Sequence, residues 1–276
     1  MELGRKQKLY FKKKEEFGVY LTEKGNDEEK VLLPTKQVPA GLNVGDEIEV
    51  FLYKDSKDRL IATTNEPKLT LHETALLDVK EVGKIGAFLD WGLEKDLLLP
   101  FAEQIGKVKT GQKVLVALYI DKSERLAATM KVYKYLRTDS PYKKDDHVEG
   151  IVYEISDNFG AFVAVDDKYS GLIAKKEMYG KCNVGDRVNA RVIAVKEDGK
   201  LDLGIREKTP VQISLDADVL VKMMKQNGGK LDFSDNASPE TIKEATGMSK
   251  NQFKRAVGNL LKSGKIELKE SKIILK

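Results

Sequence analysis

Cysteine and histidine are nearly absent: the 276 residues include one cysteine, Cys182, and two histidines, His72 and His147. One thiol cannot build an internal disulfide framework, which points to a reducing, cytoplasmic setting. So few Cys and His ligands also disfavour zinc, which prefers three or four of them. Long apolar runs are missing too, none approaching the ~18 residues of a membrane helix. The opening Met1-Glu2-Leu3-Gly4-Arg5-Lys6 has no apolar stretch behind its charges, as a secretory signal would. A soluble protein with no membrane partner is therefore expected. With 33% charged and 41% hydrophobic residues the chain is globular rather than disordered, and its length suits two to four compact domains.

Net charge is missing from most of the chain. Residues 1–210 carry 36 Lys+Arg and 36 Asp+Glu, whereas residues 211–276 carry 12 and 8, so the whole excess of +4 lies in the last quarter. Its natural partner is a polyanion. A catalytic constellation is not found. His72 and His147 lie in apparent linkers beside acidic residues. Cys182 follows Lys181, a neighbour that can lower a thiol pKa, but no pattern makes it a nucleophile. Gly258 to Lys265 only superficially matches a phosphate loop: five residues separate the glycines instead of four, and Ile266 replaces the Ser/Thr that would hold magnesium. No enzyme, cofactor or metal is expected.

What is present is repetition. Residues 44–63, VGDEIEVFLYKDSKDRLIAT, match residues 110–129, TGQKVLVALYIDKSERLAAT, at nine positions with an offset of 66. A third copy, VGDRVNARVIAVKEDGKLDLGI, spans 184–205 with one extra residue in the turn. Upstream of each copy lies a second element: Phe17-Gly18-Val19-Tyr20, Ile85-Gly86-Ala87-Phe88 and Phe159-Gly160-Ala161-Phe162. Between the two sits a short apolar piece: Val31-Leu32-Leu33-Pro34, Leu97-Leu98-Leu99-Pro100 and Gly171-Leu172-Ile173-Ala174. A two-part signature at so long a period means tandem domains. Period-two alternation (Ile48, Val50, Leu52; Val114, Val116, Leu118, Ile120; Val188, Ala190, Val192, Ala194) is a strand pattern, broken by turn residues such as Glu197-Asp198-Gly199-Lys200. About five short strands per repeat fit a small barrel, which also removes exposed edges.

The order of these parts resembles the S-one RNA-binding domain, which implies a five-stranded OB-fold barrel. The third copy resembles it best, through Val148-Glu149-Gly150-Ile151-Val152, Phe159-Gly160-Ala161-Phe162-Val163, Gly171-Leu172-Ile173 and Val184-Gly185-Asp186-Arg187-Val188. The first two copies lack the opening Gly-x-Val. The motif glycine allows a sharply coiled strand. Aromatics beside it can stack on unpaired bases, at roughly 1–3 kcal/mol per base, or serve as barrel core. In the third copy the candidates are Phe159 and Phe162, flanked by Lys175, Lys176, Arg187 and Arg191, with phosphates as the partner of the cations. Phe17 and Tyr20 take this part in the first copy, and Phe88 alone in the second. A histidine common in the third strand of S-one domains is replaced here by Pro34, Pro100 and Ala174. The basic strand with Arg5, Lys6, Lys8, Lys12, Lys13 and Lys14 is either a patch or, in the more economical reading, a solvated face.

After Pro210 the pattern changes to helices. Leu215 to Met224 reads as one, with Asp216 and Asp218 near its start and Asn227-Gly228-Gly229 as its stop. Ser238-Pro239 starts a second, which ends near Gly247. Ser249 caps a third, Lys250 to Lys262, with Phe253, Ala256, Val257, Leu260 and Leu261 as its apolar face. Asn251, Lys254, Arg255, Gly258 and Lys262 lie away from that face. Ile266-Glu267-Leu268, a turn at Lys269-Glu270, and Lys272-Ile273-Ile274-Leu275 form a hairpin. This is the order of a winged helix. Its outward residues Lys250, Asn251, Lys254, Arg255 and Lys262, with Lys265, Lys269 and Lys272 on the wing, form either a nucleic-acid surface or a solvated protein-contact face.

Three S-one-like modules followed by a winged helix resemble the conserved virulence factor B (CvfB-like) family of Gram-positive bacteria. The resemblance implies an RNA-binding regulator of virulence-related genes, with the last S-one domain and the winged helix touching RNA. The expected architecture is mainly β with a C-terminal α+β domain: barrels over 1–65, 66–137 and 138–209, then a winged helix over 210–276. The expected function is non-catalytic, post-transcriptional and cytoplasmic, with single-stranded RNA on one composite surface of the third barrel and winged helix. Two other readings stay open: a DNA-binding transcription regulator using Asn251, Arg255 and Lys262, which the repeated barrels argue against, and a scaffold in ribosome or nuclease complexes.

Overall fold

The computed structural model describes residues 1–26, 28–178, 182–205, 209–269 and 272–276. It contains two compact units, Met1–Ile205 and Arg206–Lys276. Lys181 and Glu270, named above, lie outside the described residues.

The first unit holds three versions of one barrel. The first barrel comprises β1 (Lys6–Glu15), β2 (Gly18–Thr22), β3 (Lys30–Pro34), β4 (Glu47–Lys54) and β5 (Leu60–Thr63), closed in the order β1-β2-β3-β5-β4. The second comprises β6 (Thr74–Val82), β7 (Gly86–Asp90), β8 (Leu97–Pro100), β9 (Lys113–Ile120) and β10 (Leu126–Thr129), in the order β10-β9-β6-β7-β8 and nearly closed. The third, β11 (His147–Ser156), β12 (Gly160–Val165), β13 (Tyr169–Ala174), β14 (Arg187–Val195) and β15 (Leu201–Gly204), is closed like the first. Parallel pairings of β3 with β5 and of β13 with β15 seal the two closed barrels. This is the OB arrangement. His147 stands at the start of β11, opposite Arg191, rather than in a linker.

Alternation inside the strands fills each barrel: Leu9, Val19, Leu21, Leu33, Val50 and Leu52 in the first, and Val152, Val163, Ile173, Val192 and Leu203 in the third. On β4 and β9, however, the other face is buried as well. Phe51 and Tyr53 of the first barrel pack with Trp91 of the second, ring centroids 5.8 and 6.4 Å apart and nearly perpendicular. Leu115 and Ala117 of β9 pack with Tyr153 and Ala164 of the third barrel. Burying each large ring contributes roughly 1.5–3 kcal/mol. Backbone also crosses between barrels, from Leu71 N to Gly4 O (2.7 Å) and from Ser170 N to Arg137 O (2.9 Å).

The second unit runs α1 (Thr209–Gln226), β16 (Lys230–Leu231), α2 (Pro239–Thr246), α3 (Lys250–Lys262), β17 (Ile266–Lys269) and β18 (Lys272–Leu275), with sheet order β16-β18-β17. Leu220, Met224, Ile242, Phe253, Val257, Leu260 and Ile273 form its core. Ser238 accepts from Thr241 N, and Gly247 closes α2 at φ +71°. Ser249 and Gln252 form a reciprocal capping box on α3. Two expectations are corrected here. α1 begins well before Leu215, because Asp216 is not a terminal dipole partner but a buried carboxylate that accepts from Gln212 Nε2 at 2.7 Å, one turn back. Leu261 is 39% exposed and leaves the apolar face of α3.

Candidate nucleic-acid interface

The Phe-Gly-x-Phe corner is built identically three times. The residue after the third strand donates its N–H to the carbonyl of the residue before the glycine: Thr35 to Phe17 (3.1 Å), Phe101 to Ile85 (3.4 Å) and Lys175 to Phe159 (3.0 Å). This draws the strands so close that a Cβ on Gly18, Gly86 or Gly160 would sit 2.1–2.2 Å from the carbonyl oxygen of Leu33, Leu99 or Ile173. The glycine answers to that close approach more than to strand coiling. The residue before it is thrown outward: Phe17 is 73%, Ile85 60% and Phe159 62% exposed. The second motif residue, Tyr20, Phe88 or Phe162, lies half-buried on the outer face of β2, β7 or β12.

The third barrel carries the largest aromatic group of the three corners. Phe159 and Phe162 are 6.4 Å apart, and Phe162 also meets Tyr133 edge-on at 6.1 Å and Tyr153 at 6.2 Å. Tyr133 was not singled out by the sequence. It sits on a short 3-10 helix, Val132–Tyr135, that follows the second barrel, and Lys200 stands 5.8 Å over its ring. The paired tyrosines in Val132-Tyr133-Lys134-Tyr135 were the available signal. In the first barrel Lys30 stands 4.9 Å over Tyr20.

The four cations expected around Phe159 and Phe162 divide into two groups. Lys175 and Lys176 stand on the exposed turn that follows β13, beside the corner, with Lys175 Nζ donating to Asp157 O at 2.9 Å. Arg187 and Arg191 are on β14, which pairs with β11 and β15 rather than with β12. Arg187 is exposed, 3.9 Å from Glu149. Arg191 is only 15% exposed, holds Asp145 at 2.7 Å, and keeps its Nε buried without a partner. Arg191 is thus part of the barrel wall.

On the winged helix, Asn251, Lys254, Arg255 and Lys262 are exposed on α3, and Lys250 is half-buried. Arg255 Nε reaches back to Asn251 O at 3.2 Å. The wing cations differ among themselves. Lys269 pairs with Glu267 at 2.6 Å and Lys272 with Asp232 at 2.9 Å, and the contact with Lys272 holds the Asp232 carboxyl below its usual range. Lys254, Arg255, Lys262 and Lys265 make no ion pair among the described residues. These four cations lie on α3 and at the approach to the wing; Gly258, also on α3, has open space where a Cβ would stand.

The other reactive groups are quiet. Burial pushes the Cys182 thiol up, the reverse of the lowering expected from Lys181. His72 stacks on Tyr135 at 5.9 Å. No cluster of three or more His, Cys, Asp or Glu able to hold a metal occurs among the described residues. No helix among them is long and apolar enough to cross a membrane.

The comparisons with known proteins follow this layout. An S1 domain model matches residues 3–65 and 73–131, the model of the virulence regulatory factor CvfB second domain matches 133–207, and the CvfB-like winged helix domain model matches 218–275. The sequence ranked the third copy as the best S-one match; the S1 model instead takes the first two, and the third has a model of its own. The uncharacterized protein YitL of Bacillus subtilis is 33% identical, covering 96% of this chain and 91% of that protein. Conserved virulence factor B of Staphylococcus aureus is 29% identical, covering 85% and 81%. A crystal structure of a multidomain protein with nucleic acid binding domains from Streptococcus pneumoniae is 26% identical, covers 99% of this chain and 98% of that one, and superposes with a TM-score of 0.50. The OB barrel and the winged helix are both folds that bind nucleic acids. Through its relatives and its three successive domain models, the chain belongs to the CvfB family.

Proposed function

We propose that this protein binds single-stranded RNA without catalysis and acts as a post-transcriptional regulator. The name of the staphylococcal relatives extends the reading to virulence genes. The observation that carries it is the third barrel's corner, where an exposed Phe159 lies against Phe162 and beside Lys175 and Lys176. Rings of this kind stack on unpaired bases whatever their identity, and the lysines follow the phosphates. The second contact is α3, through Lys254, Arg255 and Lys262, with Lys265 next to it. Lys269 and Lys272, already paired with carboxylates, contribute less. The first two barrels show no ring–ring contact at their corners among the described residues and serve chiefly as framework.

The test is a fluorescence-anisotropy titration of the full chain with a labelled single-stranded RNA, the matching single-stranded DNA and a duplex, at two salt concentrations. Tight, salt-sensitive and RNA-preferring binding is expected. The triple change Lys254→Ala, Arg255→Ala, Lys262→Ala should weaken binding and flatten the salt slope by about 0.7 per lost phosphate contact. An unchanged slope removes α3 from the site. A strong preference for one duplex DNA sequence would favour the transcription-regulator reading instead.

A further inference from the structure

We propose that the cleft between the second and third barrels seats one unpaired base of the bound RNA, a contact that rests on the single-strand reading above and adds a site to it. The cleft has a volume of about 460 Å³, within the usual range of small-molecule pockets, roughly 300–1,000 Å³. Its apolar lining comes from Leu76, Ile105 and Met130 on one side and Ile151 and Val184 on the other. Three cations also line it, Lys107, Lys113 and Arg187. Lys107 makes no ion pair among the described residues, Lys113 is a loose 3.4 Å from Asp78, and Arg187 is 3.9 Å from Glu149. Apolar side chains interspersed with positive charge suit a base between two phosphates, and suit a neutral apolar ligand poorly.

A second, independent observation is Tyr153. It lines the cleft, it is 96% buried as a residue of 4% relative exposure, and its hydroxyl has no hydrogen-bond partner. Buried hydroxyls are normally satisfied; this one is sealed from solvent, so a base edge, which supplies donors and acceptors, reaches it only when the cleft side chains shift. Tyr153 is also the inner member of the ring series Phe159, Phe162, Tyr153, with successive centroids 6.4 and 6.2 Å apart. The exposed stacking corner and the cleft are thus joined by aromatic contacts. Arg187, which stands apart from Phe159 on β14, acquires a role here.

The test uses the full chain and an oligouridylate of about 12 nucleotides, a length suited to one or a few OB barrels, carrying one central 4-thiouridine for photo-crosslinking. Val184→Trp fills the cleft from an exposed position, and Lys107→Ala with Arg187→Ala discharges its edges. We expect about tenfold weaker binding for Val184→Trp. The double variant should lose about 1.4 from the salt slope, two contacts at about 0.7 each. Cross-links should map to the peptides bearing Met130 and Tyr153. If Val184→Trp does not fold, as thermal unfolding would reveal, the double variant at two exposed positions decides alone. Wild-type binding with an unchanged double variant and cross-links confined to Phe159 or α3 would overturn the cleft and leave the RNA reading standing. No binding of the oligonucleotide by the wild-type chain would overturn both.

Discussion

A methyl group added at Gly86 would place its Cβ 2.2 Å from Leu99 O and 2.8 Å from Pro100 Cα. Both atoms are backbone of β8, so no side chain can swing aside. Gly86 also has φ +157°, where side-chain-bearing residues are strained by about 1–3 kcal/mol. Relief requires β7 and β8 to part at Gly86↔Pro100 and Ala87↔Leu99, with about 1 kcal/mol lost per disturbed ladder bond. Gly86→Ala should therefore cost about 3–5 kcal/mol, a large share of the roughly 5–15 kcal/mol of a typical domain. Gly111→Ala is the control: its φ is +79°, but nothing lies within 4 Å of a Cβ there, so only about 1–2 kcal/mol of left-handed strain applies. Urea unfolding followed by the fluorescence of Trp91 separates the two, because that ring is 2% exposed and edge-on to Phe51 and Tyr53. With a slope of about 1–3 kcal/mol per molar urea, a difference of about 2 kcal/mol moves the midpoint by about 1 M. Equal midpoints for the two variants would refute the argument that close strand approach dictates this glycine.

Three further outcomes are expected. Tyr153→Phe removes a buried hydroxyl that has no partner, so the thermal midpoint of the protein without RNA should hold or rise, by about 1 kcal/mol of stability. Donation to Asp166 lifts the Tyr142 hydroxyl to about 12 from 10.0. A raised acid pKa binds its proton more tightly in the folded state, so this contribution is intact below pH 10 and is lost between pH 10 and about 12. Tyr142→Phe should flatten that part of the stability curve measured by urea unfolding. Ser249→Ala dismantles the α3 capping box and should cost about 1 kcal/mol, read as an earlier loss of helical circular dichroism on heating.

The repeats were legible because each barrel needs the same few residues in the same order. The glycine of the corner, the turn Val-Gly-Asp and the capping serines are all local devices, and local devices leave local patterns. Helix α3 was readable to the residue because Ser249 and Gln252 mark its start. The start of α1 was not, because Asp216 carries the sign of a helix start while its actual partner is Gln212 within the helix. The joints between barrels were hidden for another reason. Alternation identifies the face that fills a barrel and is silent about what the opposite face meets. Val50-Phe51-Leu52-Tyr53 and Val114 to Leu118 are buried on both faces, and a continuous apolar run was the only trace of that. The candidate site suffered most. Phe159 and Phe162 were placed correctly at one corner, but whether a cation is open or already paired depends on cross-strand partners. Asp145 for Arg191 and Asp232 for Lys272 come from distant parts of the chain.

The packing of Trp91 against Phe51 and Tyr53 has a consequence for how the array can be cut. Duplicated modules are commonly treated as interchangeable beads, cut and rejoined at the repeat boundary. Here the first bead lends two rings to its neighbour's interior, so an excision near residue 65 would leave an oily scar on each half. Lengthening or shortening the array at that boundary therefore uncovers Phe51, Tyr53 and Trp91 unless both barrels move together. The unit that keeps its own core covered is larger than the unit of repetition.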